Sequence, residues 1–302
     1  MFIVKWRKFF YTLSILLVLV AVGSLVSWGL NLGIDFKGGS LLEISYPNGR
    51  PEGTLIKEAL QPLSLGEYSV RATGEDGYII RMKALSETER ASVVQALSFN
   101  TTQKIEEKRF DTIGPLLGAE AARKSMLSII LVIVCIVLFI TFAFRKVSHP
   151  VSSWKYGLIA IFALIHDVIV PTGAFAILGH FLGYEADTLF VTALLVILGF
   201  SIHDTIVVFD RVRENLRLSA HRRDKKEFST IVGESINQTF VRSINTSMTT
   251  VLALIALYFI GPEITKHFSL VLIIGITVGT YSSIFLASPL LVTVEAWQRK
   301  GK

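Results

Sequence analysis

Residues 189–208 read LFVTALLVILGFSIHDTIVV, and the polar run FDRVREN follows at 209–215. A helix crossing the hydrocarbon core of a bilayer needs about 20 largely apolar residues, and this stretch supplies them around a single His-Asp pair. Five more stretches of the same kind lie at Phe9–Leu30, Met126–Phe144, Tyr156–Leu178, Phe240–Ile260 and Phe268–Val292. The fifth in chain order, Phe240–Ile260, has the weakest apolar character, because its first half is rich in Ser, Thr and Asn and contains Arg242. Across all 302 residues, 51% are hydrophobic, only 18% are charged, and the mean hydropathy is +0.56. Soluble domains carry about 25% charged residues, so the composition excludes a disordered chain and disfavours an ordinary soluble enzyme. The single cysteine, Cys135, has no partner for an internal disulfide, and no Cys/His cluster has the spacing of a structural zinc site.

Three basic residues, Lys5, Arg7 and Lys8, precede the first stretch, which is too long for a cleaved secretory signal and reads as a signal anchor. Arg145, Lys146 and Lys155 lie between the second and third stretches. Seven more, at Arg211, Arg213, Arg217, Arg222, Arg223, Lys225 and Lys226, follow the fourth, and Arg299, Lys300 and Lys302 end the chain. The opposite short loops, His180–Asp187 and Gly261–His267, hold only Lys266. Positive residues remain on the cytoplasmic side of a membrane. Both termini are therefore expected in the cytoplasm, and the net charge of +6 reports orientation rather than a nucleic-acid partner.

The expected organisation is a cytoplasmic start and first spanning helix over residues 1–31, an extracytoplasmic domain over 32–124, and five more spanning helices over 125–302. The outer segment carries 12 basic and 13 acidic residues, which leaves no basic footprint for nucleic acid. Its pattern predicts strands at Leu41–Tyr46, Tyr68–Thr73, Gly77–Lys83 and Thr102–Thr112, with helices at Thr54–Leu63 and Glu87–Leu97. Asp76-Gly77 reads as a two-residue hairpin turn, and Ser86-x-x-Glu89 as a capping box. The order βαββαβ is that of an α+β ferredoxin-like domain. Gly33, Asp35, Phe36, Gly38 and Gly39 form the junction between the first helix and this domain. That junction reads as a turn setting the exit from the membrane, with an anion-binding nest as the alternative.

Ionisable groups inside spanning helices are costly and usually face protein or water. This chain places His166-Asp167 in the third helix, His203-Asp204 in the fourth and Arg242 in the fifth. Asp204 lies six residues before Asp210, about 9 Å along a helix, hence in the cytoplasmic half. Gln238, Arg242, Asn245, Thr246 and Thr249 share one face of the fifth helix. A polar stripe on a spanning helix is expected to face the bundle interior, which makes Asp204 the partner predicted for Arg242. A static buried ion pair that only orders the bundle is the alternative. Asp167 precedes Pro171 by four residues, so the proline frees its carbonyl. That points to a proton or water site, or to a kinked helix with a satisfied aspartate. In the sixth helix, Gly275, Gly279, Ser283 and Ala287 recur at i+4 spacing, a small-residue ridge for close helix packing.

Several of these motifs carry a resemblance over nearly the whole chain. They are Gly33-Ile34-Asp35-Phe36 with Gly38-Gly39, Gly114-Pro115-x-x-Gly118, Ser201-Ile202-His203-Asp204-Thr205 running into Phe209-Asp210-Arg211-Val212-Arg213-Glu214-Asn215, Arg242-Ser243-x-x-Thr246-Ser247 and Gly279-Thr280-Tyr281-Ser282-Ser283. In these the chain resembles the SecF proteins of the SecD/SecF family, within the resistance-nodulation-division superfamily. The resemblance implies one half of a twelve-helix assembly in the bacterial plasma membrane, the other half being SecD. It implies work beside the SecYEG channel on translocating polypeptides, energised by the proton gradient, with no other cofactor and no enzymatic reaction. It also implies proton-linked roles at Asp204 and Arg242, to which the residues themselves add His203 and Asp167. The sequence departs from the family pattern at His203, where asparagine is common, and at Ser243, where threonine is usual.

Three other classes compete with a proton-linked subunit. A pure scaffold would stabilise SecD without moving protons. Half of a small-molecule exporter of the same superfamily is the nearest runner-up. An intramembrane metal hydrolase built on the two His-Asp pairs lacks both HExxH spacing and a third ligand. For the orientation, a reporter enzyme active only outside the cytoplasm is expected to stay silent when fused after Lys302 and to be active when inserted at Gly49. Activity at the C-terminal fusion would reverse the assignment.

Overall fold

The computed structural model describes residues 2–99, 102–143, 153–222 and 226–300. Phe144, Arg145, Lys146, Arg223, Lys225 and Lys302, used above for spans and topology, lie outside the described residues. The chain forms two compact units, Leu32–Met126 and the remainder, Met1–Asn31 with Leu127–Lys302. In chain order the elements are α1 (Arg7–Trp28), β1 (Gly39–Ser45), α2 (Gly53–Leu60), β2 (Ser69–Thr73), β3 (Gly77–Met82), α3 (Glu87–Leu97) and β4 (Glu106–Ile113). There follow α4 (Pro115–Ala143), α5 (Ser153–Leu182), α6 (Thr188–His221), α7 (Phe228–Ile260), α8 (Glu263–Tyr281), a π-helical segment (Ser282–Ala287) and α9 (Ser288–Lys300).

The smaller unit is an antiparallel four-stranded sheet in the order β2-β3-β1-β4 with two helices, the ferredoxin-like arrangement. Alternation along the strands sends Leu42, Ile44 and Ile80 inward, where Ile56 and Leu60 of α2 and Val93 and Leu97 of α3 complete a fully buried core. The capping box forms: Ser86 Oγ accepts from the Glu89 backbone N–H, and the Glu89 carboxylate accepts from the Ser86 N–H at 2.9 Å. The hairpin differs from the two-residue expectation. Three residues, Gly74–Asp76, make the turn between the paired Thr73 and Gly77, and Gly74 takes the positive φ of +57°. Gly77 is required for space instead, since a Cβ there would lie 2.9 Å from the Ile44 carbonyl oxygen. The last strand starts at Glu106 rather than at residue 102. The intervening chain closes the end of α3, with Thr102 N–H donating to Phe99 O and Gln103 N–H to Ser98 O.

The glycine junction folds as a turn. Ile34–Lys37 make one helical turn with Phe36 buried and Asp35 half-buried, and Gly38 and Gly39 follow at φ +76° and +129°. A Cβ on Gly38 would come 2.7 Å from Pro115 Cα, and one on Gly118 would come 2.7 Å from Gly38 N. The two glycine motifs, eighty residues apart, therefore exist for each other: the strand entry and the start of α4 cross at backbone distance.

The larger unit contains six helices long and apolar enough to cross a membrane. Of these, α5, α6 and the continuous rod α8–π–α9 have about half of the residues in their apolar stretches buried, while α1, α4 and α7 flank them with outward faces left exposed. Both α6 and α7 run well past the expected apolar limits, to His221 and back to Phe228. Val208, Phe209 and Val212 of that extension pack with Phe228, Val232 and Ile236, so the apolar core continues beyond the purely hydrophobic stretch. At the closest approach of α1 and α5, Ser24 Oγ donates to the Gly173 carbonyl at 2.9 Å.

A Cβ on Gly173 would meet Ala21 Cα and Cβ at 2.4 Å. Gly173→Ala is expected to force α1 from α5 and cost about 1–3 kcal/mol, read as a fall in Tm of the detergent-purified chain. Gly199→Ala, which meets nothing within 4 Å, is expected to be neutral or to gain up to about 1 kcal/mol from helix propensity. In the smaller unit, hydrogen bonds from Lys83 and then from Ser86 hold the Glu89 carboxyl at about 2, below its usual 4.5. A depressed carboxyl stabilises above its unfolded value and loses that contribution as the pH falls through the folded one. The Tm difference between the wild type and Glu89→Gln is therefore expected to shrink as the pH falls from about 6 to about 3.

Candidate functional site

The small-residue ridge of the last rod packs inside the chain, against α6. A Cβ on Gly275 would lie 2.1 Å from Ile197 Cδ1, and one on Gly279 would lie 3.0 Å from Ser201 Cβ. One and two turns on, Ser283 Oγ donates to the Ser201 carbonyl at 3.1 Å and shares a 2.8 Å hydrogen bond with Thr205 Oγ1, and Ala287 is fully buried. Glycine and serine let the backbones approach, and the approach lets short hydroxyls reach across.

Asp167 of α5 lies in this seam with no exposed surface. Its Oδ2 accepts from Ser201 Oγ of α6 and, at 2.7 Å, from Ser282 Oγ at the start of the π segment. Its Oδ1 lies 2.9 Å from Nδ1 of the adjacent His166, which is itself buried. Asp167 therefore has its hydrogen bonds made within the chain.

Asp204 is only 3% exposed and faces Ser243 and Ser247 of α7. Among the described residues its Oδ2 and Ser243 Oγ are buried and make no hydrogen bond of good geometry, although the two side chains are close enough to act on each other. Ser247 Oγ in turn shares a hydrogen bond with Thr280 Oγ1 of α8. Asp204 thus sits in a hydroxyl-walled niche, with Oδ2 unbonded among the described residues.

Arg242 does not complete this niche. It is exposed on the flank of the unit, and no ion pair joins it to Asp204 among the described residues, although it and His203 are near enough to act on Asp204 electrostatically. Gln238, Asn245, Thr246 and Thr249 are exposed with it, and so is His203. The expectation that this stripe faces the interior of the chain's own bundle is thus corrected. Ser235, Thr239, Ser243 and Ser247 occupy the inward face of α7 instead, all buried. Short hydroxyls fit the close contact with α6 and α8, and an arginine does not. Beyond the apolar stretch of α6, Gln238 Oε1 accepts from Arg211 Nε at 2.5 Å and from Asn215 Nδ2 at 2.9 Å, so the FDRVREN run ties α6 to α7. The Thr246 and Thr249 hydroxyls donate back to the helix, to the carbonyls of Arg242 and Thr246. The serines around the two aspartates escaped the sequence argument. Their i+4 recurrence at 235, 239, 243 and 247 is the signal that could have found them.

Comparison with known proteins agrees with this architecture. Residues 93–297 match the family of the protein export membrane protein SecD/SecF, C-terminal, and residues 23–46 match the SecD/SecF GG motif, which contains Gly38-Gly39. The chain is 45% identical to the protein translocase subunit SecF of Thermobaculum terrenum, over 99% of its own length and 94% of that protein. It is 35% identical to the SecF of Anaerolinea thermophila, over 98% and 96%. Among solved structures it is similar to SecDF, a translocon-associated membrane protein from Thermus thermophilus, with a TM-score of 0.82 and 31% identity. A second SecDF crystal structure, in a super-membrane-facing form, matches at 0.69 and 30% identity. The chain accounts for 98% of its own length in both matches but for only 38% and 39% of those SecDF chains. A six-helix unit, an inserted ferredoxin-like domain, interlocked glycine motifs and full-length identity to SecF subunits together show that the chain belongs to the SecD/SecF family of protein-export membrane proteins, on its SecF side.

Proposed function

We propose that the chain is the SecF half of a proton-driven accessory motor of the Sec translocase in the plasma membrane. In this reading α7 docks against SecD, and Asp204 is the group that takes up and releases the proton. The observation that carries it is the polar stripe on the outside of α7. An arginine facing hydrocarbon costs on the order of 2.5–3.5 kcal/mol on the insertion scale, and Gln238, Asn245, Thr246 and Thr249 extend the same face. A second membrane-embedded protein with acidic and polar side chains opposite Arg242 removes that cost. The SecDF relatives, more than twice as long as this chain, have room for such a half within one polypeptide.

Asp204 then lies just behind the docking face, between the hydroxyls of Ser243 and Ser247 and close to Arg242 and His203. Loss of its charge on protonation removes its attraction for Arg242 and lets α6 and α7 shift. One proton crossing about 100 mV supplies about 2.3 kcal/mol, enough to bias a two-state element by more than tenfold. That bias, passed to the outer domain, is the work available for drawing polypeptides away from the SecYEG channel. In this reading the chain is a transport subunit with both termini in the cytoplasm.

Asp204→Asn is expected to copurify with SecD from mild detergent at the wild-type level and to lose gradient-dependent stimulation of export in membrane vesicles. Full retention of that stimulation would remove Asp204 from the proton path. Loss of the complex in both Asp204→Asn and Arg242→Gln, in proportion to lost export, would make the chain a scaffold for SecD instead.

A further inference from the structure

Asp167 has no part in the mechanism above, yet three elements meet at its carboxylate. Ser201 reaches it from α6, Ser282 from the π segment at 2.7 Å, and His166 from its own helix at 2.9 Å. The residues on either side of Ser282 hold the surroundings of Asp204. Ser283 bonds the Ser201 carbonyl and the Thr205 hydroxyl of α6, and Thr280 bonds Ser247, the α7 serine that faces Asp204. Ser282 Oγ also lies 3.0 Å from the Gly279 carbonyl, an alternative acceptor within its own helix. The Asp167 carboxylate is what keeps that hydroxyl turned outward to α5. A π turn has poorer internal hydrogen bonding than an α turn, and such turns cluster where a side chain must be aimed.

We infer that Asp167 is a positioning residue: by holding Ser282 and Ser201 together it ties the π segment and α6 to α5 and fixes the α7–α8 contact behind Asp204, without carrying a proton itself. Both serine hydroxyls donate to its Oδ2 and His166 Nδ1 lies beside its Oδ1, so the carboxylate is held by three partners from three elements. The inference rests on the assignment of Asp204 in the preceding section. An asparagine at 167 can do the same work. Its single oxygen accepts from both serines, and its amide donates to His166 Nδ1 once the ring changes tautomer. An alanine cannot.

The test uses the full chain in complex with SecD, in membrane vesicles containing the channel. One readout is export stimulated by an imposed proton gradient. The other, measured in a separate Cys135→Ala chain, is the rate of disulfide formation between the thiols of Ser247→Cys and Thr280→Cys, which reports α7–α8 register. Asp167→Asn is expected to keep both within about twofold of wild type, because its hydrogen bonds persist. Asp167→Ala is expected to slow both by about tenfold, the worth of one hydrogen bond to a charged group. If Asp167→Ala does not accumulate in the membrane, Ser282→Ala, which removes a single hydroxyl, is expected to show the same slowing of both. The inference is overturned if Asp167→Asn loses gradient stimulation while cross-linking is normal, since Asp167 then carries a proton. It is overturned equally if Asp167→Ala or Ser282→Ala cross-links at the wild-type rate. Retained stimulation in Asp204→Asn would instead sink the proposed function, and the cross-linking rates would still judge the anchor.

Discussion

Hydrocarbon offers no hydrogen bonds, and this one constraint organises the helix unit. A polar group placed at membrane depth must find its partner inside protein, so polar groups gather where helices can approach most closely. In this chain that place is the seam between α5, α6, the inward face of α7 and the last rod. Glycine at 275 and 279 brings the backbones together. Serine and threonine at 201, 205, 280, 282 and 283 then bond across the gap that glycine leaves. Two carboxyl groups sit in that seam under different conditions. Asp167 is saturated by donors, whereas Asp204 has one oxygen unbonded among the described residues. The two carboxyl groups thus differ in how far the chain itself satisfies them.

The same constraint makes the flank of α7 informative. Apolar side chains exposed on α1 and α4 suit lipid, because Leu and Val lose nothing there. Arg242 does lose, and its exposure together with four polar neighbours describes a surface made for protein. The chain thus has two polar faces on one helix: short hydroxyls inward, where contact is close, and longer amide and guanidinium groups outward.

Most of the architecture was legible in the sequence because it is periodic. Hydropathy marked the six spans, the strand and helix periods marked the βαββαβ order, and Ser86 with Glu89 marked a helix start that the structure reproduces. Legibility failed where the outcome depended on which neighbour was present. The polar stripe of α7 pointed to an interior, and a single sequence holds no information on whether that interior belongs to one chain or two. The turn at Gly74–Asp76 was misread because glycine serves two purposes. Gly74 takes the unusual backbone angle, while Gly77 makes room for a neighbouring carbonyl. The two hydroxyls on Asp167 were missed because they come from two distant elements, α6 and the π segment, and serine is too common for a lone one to stand out.

The π segment also determines which face the far end of the chain turns to the bundle. A helix advances about 100° and 1.5 Å with each residue, and a π turn absorbs one residue more than an α turn. Every side chain of α9 is therefore rotated by about a quarter-turn from where an unbroken α-helix would place it. Glu295, buried and bonded to Arg299, and Trp297, 83% exposed, face opposite ways because two residues advance about 200° on a helix, and the offset sets which of them meets the bundle. A deletion of one residue between 282 and 287 would restore a regular helix and turn the faces of the tail by about a quarter-turn, so the length of this segment sets which residues of α9 meet the bundle as firmly as the residues themselves do.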